Sequence, residues 1–140
     1  MSTPKDSVTE LKERVLKIML VDDEEVVLLV LVRILQSIGH CCVVFTSAKL
    51  ALRAFCDGDG DASLLITDMQ MPDQSGLEFL KAVRVKKPGL PVIVMSGSVL
   101  PKDRDDAMSA GANCFLAKPF GPEDLKSAVN AIFAAPAPVQ

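Results

Sequence analysis

LLITDMQMPDQSG, residues 64–76, is the stretch on which the fold turns. Leu64, Leu65 and Ile66 form the short apolar run of a buried strand. The run then meets a charge, Asp68, and continues through Met71-Pro72 to Gly76. A carboxylate at the end of a core strand is costly unless something beyond that end needs it.

Working outward, the chain alternates. VLKIMLV (15–21) is a second run, rich in apolar residues and ending at Asp22-Asp23. CCVVFT (41–46), VIVMS (92–96) and CFLAK (114–118) read as further strands. Helical spacing predicts Glu25–Ser37, closed by Gly39. A second helix, 47–55, is predicted to bury Leu50, Ala51, Ala54 and Phe55; the Gly/Asp cluster CDGDGDAS (56–63) follows as a turn. A third, 76–85, places Leu77, Leu80 and Val83-Arg84 at helical spacing, with Asp73 expected to cap or turn into it. A fourth spans 102–110 and ends at Gly111, and a fifth spans 122–134 with Leu125, Ala128, Val129, Ile132 and Phe133 inward. Five short buried strands alternating with five helices imply a parallel sheet covered on both faces. The reading is one domain, 15–134, between a polar extension at 1–14 and an Ala/Pro-rich tail at 135–140.

Composition narrows the function. The chain has 140 residues, 49% hydrophobic and 24% charged, which is globular rather than disordered. A net charge of −3, with no Trp or Tyr, argues against a nucleic-acid partner within this chain. The start, MSTPKDSVTELKERVLK, is polar and unlike a signal peptide. The longest apolar run, Val26–Val32, is far short of a membrane span. A cytoplasmic location with no membrane partner is expected. Cys41, Cys42, Cys56 and Cys114 form no C-x-x-C pair, and His40, the single histidine and a loop residue, cannot complete a zinc set. Buried or half-buried free thiols are expected.

In open parallel sheets, ligands bind beyond the carboxyl ends of the strands. This sequence places Asp22 and Asp23 after the first strand, Asp68 after the third, Ser96 after the fourth and Lys118 in the fifth. If these ends converge, three carboxylates meet a hydroxyl and an ammonium. Crowded carboxylates disfavour one another's ionisation, and a hard divalent cation relieves them. Mg²⁺ takes oxygen ligands and suits one or two carboxylates plus a phosphate. The lysine and hydroxyl suit the remaining phosphoryl oxygens. The set fits phosphoryl transfer with Asp68 as carboxylate nucleophile. Taken singly, each residue has an ordinary explanation: an acidic helix start for Asp22 to Glu24, a turn for Asp68 or Ser96, a surface charge for Lys118.

Four motifs stand in order: VDDE (21–24), ITDMQMPDQSG (66–76), VMSG (94–97) and FLAKPF (115–120). With them the chain resembles, over about residues 16–134, the receiver domains of two-component response regulators. The resemblance implies a flavodoxin-like (βα)5 three-layer sandwich with a five-stranded parallel sheet of order 2-1-3-4-5. It implies that Asp68 is the phosphoryl acceptor. It implies that Mg²⁺ is held by Asp23, Asp68 and the backbone carbonyl of Gln70, with Asp22 often acting through water. Ser96 resembles the residue that moves to the new phosphoryl group, and Lys118 the one that pairs with its oxygen. Phe115 resembles the aromatic switch that turns inward as Ser96 moves, and Lys118-Pro119 the cis bond. The implied function is a phosphorelay, with a histidine kinase or histidine phosphotransfer protein as donor and a homodimer as one form of assembly. Such a domain is not a turnover enzyme, although it catalyses its own phosphorylation and dephosphorylation.

Three positions depart from the common pattern or tune it. Phe115 lacks a phenolic hydroxyl, so a switch there works by burial. Gln70 and Ser98 lie beside the site, where the family sets acyl-phosphate lifetime. Other readings are a haloacid-dehalogenase-like phosphatase using Asp68, or a non-phosphorylated interaction module. The first needs a D-x-D at the first strand, where this chain has D-D-E; the intact acidic set argues against the second. The helix stretch VVLLVLVRIL (26–35) is apolar on nearly every side. Either it is covered, for instance by Val8 and Leu11 of the extension, or it is a partner surface, as the family's first helix is for the histidine-bearing donor.

Overall fold

Alternating apolar runs and amphipathic segments give five strands and five helices in a computed structural model that describes residues 15–57, 61–98 and 100–134. The strands are β1 (Lys17–Val21), β2 (Cys41–Phe45), β3 (Leu64–Asp68), β4 (Val92–Ser96) and β5 (Cys114–Ala117). The helices are α1 (Glu25–Ser37), α2 (Ala48–Cys56), α3 (Gly76–Lys86), α4 (Pro101–Ser109) and α5 (Pro122–Ala134). All pairings are parallel, in the order β2-β1-β3-β4-β5. This is the architecture the sequence implies. The segments 1–14 and 135–140, including Val8 and Leu11, lie outside the described residues.

Alternate strand residues feed two separate cores. Met19, Val21, Leu65, Val92 and Val94 pack under α2, α3 and α4, against Ala51, Phe55, Phe79 and Leu80. Ile18, Leu20, Leu64, Ile66, Ile93 and Met95 pack under α1 and α5, against Leu28, Leu31, Leu35, Leu125 and Val129. Both faces of β3 and β4 are therefore apolar, and every residue of these strands is buried.

The expectation of five fully buried strands fails at the edges. β2 and β5 each have one neighbouring strand, and several of their residues are partly or fully exposed. Cys41 is accordingly exposed, as is Cys56 at the end of α2, whereas Cys42 and Cys114 are half-buried; all four thiols are free. Burial first, then the neighbouring Cys41, pushes the Cys42 thiol up to about 11. In α2 the buried stripe is Ala48, Ala51, Ala54 and Phe55, not Leu50, which stays 49% exposed. Leu50 lies about 200° around the helix from Ala48, on the solvent side.

Asp73 also departs from expectation. Ser75 caps α3, its hydroxyl accepting from the Glu78 N–H at 3.1 Å. Asp73 instead reaches α2, where its carboxylate accepts from the N–H groups of Ala48 (3.4 Å) and Lys49 (3.1 Å). His40 follows Gly39, whose φ of +94° ends α1, and its Nδ1 accepts from the Leu16 N–H. In α1, Leu28, Leu31 and Leu35 are buried, but among the described residues nothing covers Val26, Leu29 or Val30, each at least half exposed.

Candidate functional site

Strand ends bring the acidic residues together. The Asp22 N–H continues the β1 ladder to the Phe45 carbonyl at 3.2 Å, which carries its side chain under the surface, fully buried. Its Oδ1 accepts from the Glu24 N–H at 2.9 Å. Asp68 closes β3, and its Oδ1 accepts from the Gln70 N–H at 3.3 Å. Asp23 is exposed at the rim. One carboxylate oxygen from each of Asp22, Asp23 and Asp68 lies within 4.8 Å of the others.

Lys118 completes the set. Its backbone N–H donates to the Ser96 carbonyl at 2.7 Å, and the Lys118-Pro119 bond is cis, as the resemblance implies. Its Nζ sits 3.0 Å from Asp22 Oδ2 and 3.3 Å from Asp68 Oδ2. Burial lowers the lysine's proton affinity, but the Asp22 hydrogen bond and the two carboxylate charges outweigh it, and its pKa is raised. Burial first, with the Asp22 charge adding to it, holds the Asp68 carboxyl above its ordinary value against the opposing pull of Lys118. Three carboxylates and one ammonium, all ionised, leave two negative charges. That donor set fits one hard divalent cation.

Ser96 ends β4, the strand beside β3, buried, with its Oγ accepting from the Ser98 N–H at 3.0 Å. The Ser98 hydroxyl in turn donates to the Asp103 carboxylate in α4. Phe115 lies opposite Val94 in the β4–β5 register, half-buried against the core under α2, α3 and α4. Gln70 is exposed and touches the site through its backbone. Beside the acids a groove of about 430 Å³ runs between α1 and the start of the β5–α5 loop, lined by Val26, Val30, Lys118, Pro119 and Phe120 among others.

Sequence reading missed three supports. Thr67 is buried and donates its hydroxyl to the Asp68 carbonyl at 3.1 Å. Gly76 donates its N–H to the Met69 carbonyl at 2.8 Å, and a Cβ on Gly76 would collide with the Met69 backbone. The Ser-Gly pair before the apolar stripe of α3 is a signal that could have marked this contact. Asp73's bond to α2 crosses 25 positions, and no local signal announces it.

A parallel sheet of this strand order, with acids and a lysine at its carboxyl end, defines a flavodoxin-like α/β domain built around an oxygen-lined cation pocket. The family described as the response regulator receiver domain matches residues 18–130, and the chain belongs to it: it is a receiver domain of two-component response regulators. It is 32% identical over 117 residues to the transcriptional regulatory protein BasR of Escherichia coli, covering 84% of this chain and 52% of BasR. It is 30% identical over 113 residues to the chemotaxis protein CheY homolog of Campylobacter jejuni, covering 79% of this chain and 87% of that protein. The chain thus spans about half the length of BasR and most of the length of the CheY homolog. Among solved structures, the chemotaxis protein CheY4 of Vibrio cholerae superposes with a TM-score of 0.78 at 26% identity, covering 84% of this chain and 98% of that one. The response regulator TrrA of Thermotoga maritima, in complex with Mg²⁺-BeF, gives 0.73 at 30% identity, covering 83% and 97%. Receiver domains bind Mg²⁺ in such an acidic pocket and interact with kinases or phosphotransfer proteins. Family membership disfavours the dehalogenase-like phosphatase. Among the described residues no helix is long and apolar enough to cross a membrane.

Proposed function

We propose that this chain accepts a phosphoryl group on Asp68 in a Mg²⁺-dependent phosphorelay step. The observation that carries the proposal is the gathering of Asp22, Asp23 and Asp68 around the Lys118 ammonium. Asp23, Asp68 and the Gln70 carbonyl are the proposed Mg²⁺ ligands, with Asp22 acting through water. When bound, Mg²⁺ supplies charge neutralisation for the phosphoryl oxygens. An Asp68 oxygen forms a bond to phosphorus while the bond to the donor's imidazole nitrogen breaks, and the bonding pair leaves with the imidazole. Lys118 holds a phosphoryl oxygen as charge builds. Hydrolysis of the acyl phosphate, on the same residues, resets the domain.

The product adds about −1.5 to −2 charges at one point, on the phosphoserine scale. Ser96, one strand away, turns its hydroxyl toward that charge, and Phe115 repacks inward behind it. The face of α4, β5 and α5 then changes its partners by a population shift. The working unit is 15–134, acting in the cytoplasm.

Treatment with Mg²⁺ and acetyl phosphate should add one phosphoryl group by intact mass. Asp68→Asn, or omission of Mg²⁺, should abolish it; equal labelling of Asp68→Asn would overturn the assignment. The uncovered valines and Leu29 of α1, beside the apolar groove, support this face as the donor's docking surface. Leu29→Glu should slow transfer from a phosphorylated histidine phosphotransfer protein about tenfold, a typical cost for one anchor residue. Labelling by acetyl phosphate should stay unchanged, and equal slowing of both would count against the docking face.

A further inference from the structure

We infer that Asp73 is a positioning residue of the site: it clasps the amino end of α2 and thereby fixes the β3–α3 loop that presents Gln70. The metal half of this inference rests on the reading of the Gln70 carbonyl as a Mg²⁺ ligand.

The loop runs from Met69 to Ser75. Its ends are held by backbone. The Met69 N–H donates to the Met95 carbonyl at 2.9 Å, and the Gly76 N–H returns to the Met69 carbonyl at 2.8 Å. Between those ends Met71 is buried in the core under α2, α3 and α4. Among the described residues, Asp73 makes the only hydrogen bonds that leave residues 71–74 for another element, and Ser75 caps the α3 that follows. The other anchor within 71–74 is apolar, the buried Met71.

The receiving end suits a carboxylate. A helix start leaves four N–H groups without helical partners and carries partial positive charge. In α2, Asp73 takes the N–H groups of Ala48 and Lys49. The Ser47 hydroxyl takes Leu50 at 3.1 Å, and the Ser47 carbonyl takes Ala51 at 3.2 Å. The Ala51 bond is the first of the helix itself; of the groups that lack a helical partner, Ala48, Lys49 and Leu50 are satisfied, two of them by a residue that sits between the proposed acceptor and α3. The pairing therefore serves two elements: it completes the α2 cap, and it ties the segment three residues after Gln70 to a rigid body. Groups that orient metal ligands from behind set metal affinity as well as fold stability.

Ser47 supplies the control, because it caps the same helix without touching the loop. Asp73→Ala and Ser47→Ala should lower the melting temperature by similar amounts. Only Asp73→Ala should weaken Mg²⁺ binding, by about tenfold, in calorimetric titration. Asp73→Asn keeps an acceptor oxygen and should recover part of the affinity. In the metal-free protein, amide exchange across residues 69–76 should speed up in Asp73→Ala and not in Ser47→Ala. Unchanged Mg²⁺ affinity and unchanged loop exchange in Asp73→Ala would leave only a helix cap and overturn the inference. A wild-type protein that binds no Mg²⁺ would overturn the site reading and the metal half with it; the exchange measurement still decides whether Asp73 holds the loop.

Discussion

The two ends of the sheet meet the same demand, satisfying strand-end polar groups, with opposite chemistry. At the amino end, beside an exposed Lys17–Asp61 pair at 2.8 Å, one cation under β4 and β5 faces neutral oxygens. Arg84 Nε donates to the Gly111 carbonyl at 3.0 Å, and its other nitrogens reach the Leu90 carbonyl and the Asn113 side chain. Asn113 Oδ1 also accepts from the Val92 N–H at 2.9 Å. Gly111 fits because its φ is +113° and a Cβ would lie 2.7 Å from Arg84 Nε. At the carboxyl end one cation, Lys118, contacts two of three carboxylates, and the acid is in excess. The first end is closed by its own donors. The second keeps oxygen lone pairs for a ligand, at the cost of mutual repulsion.

Arg84→Met tests the closed end and should have the largest effect. It leaves the Leu90 and Gly111 carbonyls without their side-chain donor, and should cost about 3 kcal/mol in urea denaturation. Mg²⁺ affinity should not change; a loss below about 1 kcal/mol would remove the contrast between the ends.

Lys118→Met tests the open end. It leaves the fully buried Asp22 without its counter-charge and should cost about 2 kcal/mol in metal-free buffer. Saturating Mg²⁺ should recover most of that loss, whereas no Mg²⁺ concentration should rescue Arg84→Met. Identical responses of both variants to Mg²⁺ would show that the ends are not chemically distinct.

The smallest effect has the opposite sign. Burial raises the Asp68 pKa, so the folded chain holds this proton more tightly than the unfolded chain. The group's contribution to stability is therefore present below the unfolded value of about 3.9 and lost as pH rises through the raised folded value. Asp68→Asn has no proton to lose there. Without Mg²⁺ it should be more stable than wild type at pH 7, by about 1 kcal/mol, and the gain should vanish in acid. A gain that persists at the acid end of a pH series of urea melts would point to packing instead of charge.

The sequence made the layers legible because burial on two faces writes a continuous apolar run, as in LLIT and VIVM. The acidic set was legible for a related reason: a charge directly after such a run is conspicuous, and Asp22, Asp23 and Asp68 all stand in that place. What stayed hidden depends on separation. Leu50 and Ala48 are both apolar enough for a core face, and only tertiary packing selects Ala48. Asp73 looks like a local cap because the nearest helix start in sequence is α3, yet its carboxylate bonds the start of α2. Lys118 could be assigned a place at the site, but its bridge between Asp22 and Asp68 depends on strand order, which residue spacing alone does not state.

The close approach of Gly76 to Met69 acts as a length gauge on the segment between acceptor and helix. Because the two backbones touch, the segment has no slack to absorb an insertion or deletion. One residue more or fewer would either break that contact or turn α3 by about 100°. The turn would swing Phe79, Leu80 and Val83 out of their core, so the spacing after Asp68 is tied to the packing of a whole helix.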